Sequence, residues 1–243
     1  MDNSQRNSDK SLVMKTLLVG CSGGIGIAIA RRLKERGHVL IGLDQSEPRE
    51  ANLISSFYNV DLNQTKDVLS VCNRLKTEVS DLWAIIYSAG IYPIVDFEKY
   101  TVALWDEVDS VNVRAAFIVC LNLHTLLQDG GRIVTIVGGA AHLGNRDPGY
   151  STSKAALMGL TKSLALNLAH RQIRVNVINP GPIETPMTKR YPPEAARDMI
   201  NRTLLKRFGR PEEVAVVADF LISPENSNMT GATIDVNGGL YLR

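Results

Sequence analysis

The stretch TLLVGCSGGIGIAIARRLKERG, residues 16–37, contains an apolar run, a glycine-rich turn and a helical pattern, in that order. The run Thr16–Val19 predicts a buried strand, and Ile25–Arg36 predicts a helix that ends at Gly37. A strand, a tight turn and a helix in this order form the first half of a βαβ unit. The next apolar run is then expected to return to the same sheet as a parallel neighbour.

The rest of the chain repeats this alternation of apolar strands and amphipathic helices. Further strands are predicted at Val39–Leu43, Phe57–Val60, Leu82–Ile86, Arg132–Val137, Ile173–Ile178 and Thr233–Val236, and further helices at Thr65–Val79, Val102–Leu127 and from Tyr150 to His170. Such strands pair in parallel and are covered on both faces, because each crossover places a helix against the sheet. We expect a three-layer, doubly wound α/β fold with one domain, residues 15–243, behind a flexible N-terminal leader, residues 1–14.

The glycines of the first turn, Gly20, Gly24 and Gly26, favour nucleotide binding. They permit a tight turn and let backbone N–H groups approach a pyrophosphate at the helix N-terminus. Their spacing, G-x-x-x-G-x-G, differs from the common G-x-G-x-x-G pattern. An ordinary glycine-rich turn is the alternative, but an acidic residue 24 positions after Gly20 supports the nucleotide hypothesis.

That acidic residue is Asp44, which follows the second strand and is expected to accept hydrogen bonds from an adenosine ribose. A 2′-phosphate would face the same carboxylate, and two like charges about 4 Å apart cost about 4 kcal/mol at an effective dielectric constant of about 20. We therefore expect NAD(H) rather than NADP(H), unless the loop that carries Arg49 folds back. A solvated aspartate at a strand end is the alternative. Asp61, which ends the next strand, is a candidate for the adenine amino group.

Tyr150 and Lys154 lie four residues apart in Tyr-Ser-Thr-Ser-Lys, at the start of a predicted helix. Residues i and i+4 share one helix face, so the ammonium can lie beside the phenol ring. A free phenol has a pKa of about 10, and a nearby cation lowers that pKa by favouring the phenolate. The pair can therefore act as an acid/base device, although Tyr and Lys at this spacing also occur by chance on solvated helices.

The composition fits one large core and gives no sign of a macromolecular ligand. The chain has 243 residues, a formal net charge of +2 and no block of basic residues, so neither nucleic acid nor an anionic membrane is predicted as a partner. Its three cysteines show no paired spacing, which fits a reducing compartment and predicts no metal site. No apolar run approaches the roughly 20 residues of a membrane span, and the polar N-terminus lacks a signal-peptide core. We expect a cytoplasmic protein.

The order of these features makes the chain resemble the short-chain dehydrogenase/reductase family from about residue 15 to the C-terminus. The matching features are the glycine turn, Asp44, Asp61, Tyr150, Lys154, Asn112, Ser88-Ala-Gly90 where the family has Asn-Ala-Gly, and the segments 179–187 and 230–239. The resemblance implies a Rossmann-type fold with a seven-stranded parallel sheet, a bound nicotinamide nucleotide, a small-molecule alcohol or ketone substrate, and a homotetramer. Asp44 predicts that the nucleotide is NAD.

The resemblance also implies a role for particular residues. Tyr150 would exchange a proton with the substrate oxygen, Lys154 would lower the pKa of Tyr150 and hold the nicotinamide ribose, and Asn112 would position a water in the proton path. The implied cofactor-binding residues are Gly20, Ser22, Gly24, Ile25, Gly26, Asp44, Asp61, Leu62, Ser88, Ala89, Gly90, Tyr150, Lys154, Pro180, Gly181, Ile183 and Thr185. The expected substrate pocket, lined by Tyr92, Ala140, His142, Leu143, Met187 and Tyr191, suggests a small or medium, partly apolar alcohol.

The chain departs from the family pattern at the serine that holds the substrate oxygen. The family places this serine 12 or 13 residues before the tyrosine, where the present chain has Gly138 and Val137. Thr135 lies too early and would face the other side of the strand, because side chains alternate. His142 could replace the serine as a donor, the substrate could carry a group that orients it, or the protein could be slow on ordinary carbonyls, since losing one such donor typically costs about 10²–10³ in rate.

Two functions of different classes follow from these residues. The first is an NAD-dependent short-chain alcohol dehydrogenase/ketone reductase, in which hydride moves between nicotinamide and a carbinol carbon. A 3-oxoacyl-carrier reductase is an alternative that Asp44 disfavours, because such enzymes usually use NADPH. The second class is a catalytically degenerate NAD(H)-binding sensor or subunit, which the missing serine favours and the intact Tyr150, Lys154 and Asn112 disfavour.

Overall fold

The computed structural model describes residues 14–243. In this range the strands are β1 Lys15–Val19, β2 Val39–Asp44, β3 Ser56–Asn59, β4 Leu82–Tyr87, β5 Leu127–Ile136, β6 Arg174–Pro180 and β7 Thr233–Val236. The α-helices are α1 Gly24–Glu35, α2 Thr65–Glu78, α3 Val102–Asp109, α4 Ala115–Leu123, α5 Ala140–Leu143, α6 Pro148–Leu168, α7 Pro193–Arg202 and α8 Pro211–Ile222. The predicted leader, residues 1–14, lies outside the described residues except for Met14.

The strands form one parallel sheet in the order β3-β2-β1-β4-β5-β6-β7. In its centre, β1 pairs with β2 on one side and with β4 on the other, so that Leu18 lies between Gly42 and Ile86. The strand order reverses at this point, which opens a crevice at the carboxyl ends of β1 and β4 where such sheets bind ligands. The predicted doubly wound, seven-stranded Rossmann-type fold is confirmed.

Helices cover both faces of the sheet and bury a separate core on each. Ile85 and Tyr87 of β4 point into the core that is shared with α2, α4 and α6, whereas Ile86 points into the core shared with α1 and α8. This alternation explains why the strands read as continuous apolar runs. None of the helices in the described range is both long and apolar enough to cross a membrane.

Some elements differ from the predictions. The helix predicted at Val102–Leu127 is interrupted by a wider, π-helical turn at Ser110–Arg114, and β5 already begins at Leu127. Helices α7 and α8 were not predicted, although each begins with a proline, which is a favourable first residue of a helix. The turn between α3 and α4 contains Asn112, whose side chain hydrogen-bonds to Ile91 and Ser153.

Candidate active site

Two adjoining cavities lie where the strands end, one of about 510 Å³ and one of about 1030 Å³. Ile25, Thr185 and Met187 line both of them. The predicted cofactor residues that line the smaller cavity are Gly20, Ser22, Gly24, Ile25, Gly26, Asp44, Asp61, Leu62, Ser88, Ala89, Gly90 and Thr185. Those that line the larger cavity are Ile25, Tyr150, Pro180, Gly181, Ile183 and Thr185, and Lys154 lines neither.

The glycine turn brings β1, β4 and α1 into close contact at the smaller cavity. Gly20 has a φ of +85°, and a Cβ at this position would lie 2.5 Å from the backbone nitrogen of Ala89. Helix α1 begins after Gly23, which provides no side-chain cap, and its first turn contains no acidic residue. The N–H groups of that turn therefore remain available to an anionic ligand, and the cradle without side chains fits a pyrophosphate.

The charged side chains that line the smaller cavity are all carboxylates. Asp44 accepts hydrogen bonds from the backbone N–H groups of Ser22 (2.9 Å) and Gln45 (2.7 Å), which fix its carboxylate at the end of β2. The Gln45 side-chain amide in turn donates to Asp61 at 2.8 Å. Among the described residues, the lining includes Asp44, Asp61 and Glu107 but no Lys, Arg or His.

Helix α6 positions the Tyr150–Lys154 pair. It begins at Pro148, and the Asp147 carboxylate caps it by accepting a hydrogen bond from the Tyr150 N–H at 2.9 Å. The Lys154 ammonium lies 5.6 Å from the centre of the Tyr150 ring and donates to the Ile136 carbonyl at 3.4 Å. The helical spacing therefore places the two side chains together, as predicted.

The electrostatic effect of this pair differs from the sequence-based prediction. Burial raises the pKa of the Tyr150 phenol above its ordinary value, and the neighbouring Tyr191, Tyr92 and Asp147 raise it further. Burial also lowers the pKa of Lys154 from 10.5 to about 8. The predicted lowering of the Tyr150 pKa was wrong for these surroundings, because burial of the phenol raises its pKa.

Asn112 connects the end of β4 to α6. Its Oδ1 accepts from the Ile91 N–H at 2.8 Å, and its Nδ2 donates to the Ile91 carbonyl (3.1 Å) and to Ser153 Oγ (2.9 Å). A buried amide with these partners holds the loop after Gly90 against the helix that carries Lys154. The water-positioning role of Asn112 stays a prediction.

The position of the missing serine faces the Tyr150 hydroxyl. A Cβ on Gly138 would lie 3.3 Å from Tyr150 Oη, and the Gly138 N–H donates to Asn179 Oδ1 at 3.1 Å. Thr135 is turned away as predicted, since its hydroxyl hydrogen-bonds to that of Thr161 at 2.8 Å in the core. No hydroxyl of β5 therefore reaches the place that Gly138 occupies.

The larger cavity contains most of the predicted substrate pocket. The predicted wall residues that line it are Tyr92, Ala140, Leu143, Met187 and Tyr191. His142 was predicted wrongly, because it is exposed outside the lining with its ring 5.4 Å from that of Tyr241. In the short helix α5, Ala140 and Leu143 share the face toward the cavity, and His142 lies on another face. It is therefore not placed to replace the serine.

Several lining residues were not predicted as site residues. Gln45 and Glu107 line the smaller cavity, and Asn145 and Asp147 line the larger one. Asp147 could have been found, because Asp followed by Pro148 is a typical helix start. Asn145 carries no such signal, since it lies in a loop whose path depends on contacts with distant residues.

Gly138→Ala is expected to lower the free energy of unfolding by about 1–3 kcal/mol, because a φ of +153° strains a residue that has a side chain. Thermal unfolding should show this as a lower Tm, at about 2–4 °C per kcal/mol for a chain of this size. The same strain applies to Gly138→Ser, so restoring the family serine alone is not expected to raise turnover.

Gly159→Ala is the matched control for Gly138. A Cβ on Gly159 of α6 would meet nothing within 4 Å, so this variant should raise the free energy of unfolding by about 0.5–1 kcal/mol. A Gly138→Ala protein with an unchanged Tm would contradict the prediction that a side chain at this position strains the backbone.

Lys154→Met is expected to raise the free energy of unfolding at pH 7 by about 1–3 kcal/mol, because it removes a charged ammonium whose burial is unfavourable. Each unit by which the pKa of Lys154 differs between the folded and unfolded chain corresponds to about 1.4 kcal/mol. Lys154 has a pKa of about 8 in the folded protein, against an ordinary 10.5. Between these values the unfolded chain binds more protons than the folded one, so wild-type stability rises with pH in that window. The advantage of the variant should therefore shrink from pH 7 to about pH 9.5.

Urea unfolding at both pH values measures this effect. Lys162→Met is the control, since Lys162 is exposed on the same helix and should change stability by less than about 0.5 kcal/mol. A loss of stability in Lys154→Met at pH 7 would contradict an unfavourable burial of the ammonium.

Comparison with known proteins relates this site to a family. A family model described as enoyl-(acyl carrier protein) reductase matches residues 20–241. The chain is 32% identical over 240 residues to 3-oxoacyl-[acyl-carrier-protein] reductase FabG of Thermotoga maritima, covering 93% of this chain and 97% of the relative. It is 34% identical over 241 residues to acetoacetyl-CoA reductase of Cupriavidus necator, again covering 93% of this chain and 97% of the relative.

Solved structures show the same relationship in three dimensions. A short-chain dehydrogenase from Burkholderia cenocepacia, in complex with NADP, superposes with a TM-score of 0.86 at 27% identity, covering 93% of this chain and 97% of the neighbour. The agreement extends from the glycine turn to the C-terminal strand, and identity to the curated relatives is above 30%. The chain belongs to the short-chain dehydrogenase/reductase family and is an oxidoreductase of that family.

Proposed function

We propose that this chain interconverts a secondary alcohol and a ketone with NAD(H). The observation that carries the proposal is the position of Tyr150, whose ring lines the larger cavity beside the nucleotide cavity and has Lys154 buried next to it. When bound, the nicotinamide nucleotide supplies the hydride in reduction and accepts it in oxidation. Tyr150 then gives a proton to the substrate oxygen, or takes one from it.

The raised pKa of Tyr150 favours reduction at neutral pH. Its phenol remains protonated there, which is the form that donates to an oxygen gaining negative charge. Oxidation requires the phenolate, so it should become faster as the pH rises. Ketone reduction is therefore the proposed direction at neutral pH.

The acidic lining of the smaller cavity supports NAD(H) over NADP(H). A 2′-phosphate near Asp44 would meet a carboxylate, and about 4 kcal/mol of repulsion at about 4 Å corresponds to roughly a thousandfold in affinity. Arg49, the nearest basic residue after Asp44 in the sequence, is exposed and outside the lining. The Burkholderia cenocepacia structure contains NADP, so NADP(H) is the alternative cofactor that must be tested for this chain.

Reduction of a 3-oxoacyl thioester is the second candidate. The names of two relatives, a 3-oxoacyl-[acyl-carrier-protein] reductase and an acetoacetyl-CoA reductase, favour it. A cavity of about 1030 Å³ is also large enough for more than a small ketone. This candidate uses the same Tyr150 chemistry and differs in the group attached to the ketone.

A turnover panel tests these proposals. Cyclohexanone, acetoin and the N-acetylcysteamine thioester of acetoacetate are offered with NADH or NADPH at pH 7, and nucleotide oxidation is followed by absorbance. We expect turnover with NADH, faster than with NADPH. Faster turnover of the thioester than of the simple ketones would favour the second candidate.

Two outcomes would overturn the proposal. A preference for NADPH would overturn the cofactor assignment. Binding of either nucleotide without turnover of any carbonyl would favour a non-catalytic nucleotide-binding protein. The absence of the family serine at Gly138 is consistent with that alternative.

A further inference from the structure

Asn145 lines the larger cavity, and none of the described residues accepts a hydrogen bond from its side-chain amide. It lines the same cavity as Gly138 and Tyr150, although it comes from the loop between α5 and α6. The family serine would stand at Gly138, so this cavity lacks the expected hydroxyl donor for the substrate oxygen. A donor at this place must come from another element of the chain.

The orientation of the Asn145 amide follows from its partners. The backbone N–H of Asp147 can only donate, and it lies 3.1 Å from the atom assigned as Asn145 Oδ1. This atom must therefore be the oxygen, and the Tyr92 hydroxyl donates to the same oxygen at 3.0 Å. With the oxygen held twice, the Nδ2 group keeps both N–H donors, and none of the described residues accepts from it.

The residues that hold Asn145 also hold Tyr150. The Tyr92 ring packs on the Tyr150 ring with 4.4 Å between the ring centres, and the Arg190 guanidinium donates to the Tyr92 carbonyl at 3.2 Å. Asp147, whose N–H binds Asn145, accepts through its carboxylate from the Tyr150 N–H at 2.9 Å. The amide and the phenol are thus fixed relative to each other through shared neighbours.

We infer that Asn145 Nδ2 takes over the role of the missing serine and donates a hydrogen bond to the substrate oxygen that Tyr150 protonates. This inference rests on the proposed function. Asn145 is then a catalytic residue, and Tyr92 is a positioning residue that orients the amide. A donor aimed at an oxygen that gains negative charge stabilises the transition state more than the ground state.

Asn145→Asp tests the inference with a minimal change in shape. The carboxylate can still accept from the Asp147 N–H and the Tyr92 hydroxyl, but it has no N–H to offer. We expect kcat for the best substrate of the carbonyl panel to fall about 10²–10³-fold, with a much smaller change in KM. NADH affinity and Tm should change little, which separates a lost donor from a damaged fold.

Two further variants make the test specific. Asn145→Ala removes the donor without adding a charge and should lower kcat as Asn145→Asp does. Tyr92→Phe keeps the ring against Tyr150 and removes one hydrogen bond to the amide, so it should lower kcat only about 2–10-fold. Asn52→Asp, an exposed residue outside both cavity linings, makes the same chemical change and should leave kcat unchanged.

The outcomes distinguish this inference from the proposed function. Turnover by the wild type, with kcat of both Asn145 variants within about twofold of it, would overturn the role of Asn145 alone. A loss of NADH binding or of Tm parallel to the loss of kcat would also overturn it, in favour of a structural role. Absence of turnover by the wild type would overturn the proposed function and this inference with it.

Discussion

Tyr150→Phe is expected to lower kcat by about 10²–10⁴-fold, because it removes the proposed acid/base group. Phe keeps the ring that packs on Tyr92 and lies beside the Lys154 ammonium, so the pocket should retain its shape. It removes the hydroxyl that faces Gly138 and exchanges a proton with the substrate oxygen. Steady-state turnover of the best carbonyl substrate measures the loss, and the Kd of NADH should change far less.

Tyr58→Phe is the matched control for Tyr150→Phe. The Tyr58 hydroxyl donates to Glu78 at 2.6 Å and lies outside both cavity linings. Its removal should leave kcat unchanged and cost about 1 kcal/mol of stability. A Tyr150→Phe protein that keeps more than a tenth of the wild-type kcat would refute the proton-transfer role.

Asp44→Asn is expected to raise the ratio of kcat/KM for NADPH to that for NADH by up to about 10³. The change keeps the size of the side chain and removes the charge that would repel a 2′-phosphate. The amide oxygen can keep only one of the hydrogen bonds from the Ser22 and Gln45 N–H groups. Some of the activity with NADH should therefore be lost as well, and rates with both nucleotides measure the two effects.

Asp67→Asn is the control for the cofactor experiment. Asp67 is exposed on α2 and lies outside the lining of the nucleotide cavity, so the same loss of charge should leave the ratio unchanged. An unchanged ratio in Asp44→Asn would show that Asp44 does not control the choice of nucleotide. The roles of Tyr150 and Lys154 would be unaffected by that result.

Local sequence patterns were sufficient for the parallel, doubly wound sheet and for the glycine turn at the end of β1. The apolar runs of β1, β2 and β4 have helices or turns between them, and right-handed crossovers then restrict the possible topologies. Gly20, Gly24 and Gly26 identify the turn, because glycine permits the tight bend between β1 and α1. These features depend on near neighbours in the chain, so they can be read before folding is considered.

The break between α3 and α4 could not be predicted in the same way. Residues 102–127 have a helical pattern throughout, and nothing in it marks the π-helical turn at Ser110–Arg114. The turn contains Asn112, whose side chain bonds to Ile91 and Ser153, which are distant in the sequence. Because tertiary partners satisfy this amide, its position depends on the complete fold.

The sequence by itself determined the parallel sheet, the glycine turn, Asp44 at the end of β2 and the pairing of Tyr150 with Lys154, because each follows from spacing along one element or from the alternation of elements. Only the tertiary structure decided that burial raises the pKa of Tyr150, that Asn145 lines the larger cavity and that His142 does not. Solvation and side-chain direction at a site depend on every element that packs around it, and most of those elements are far away in the sequence.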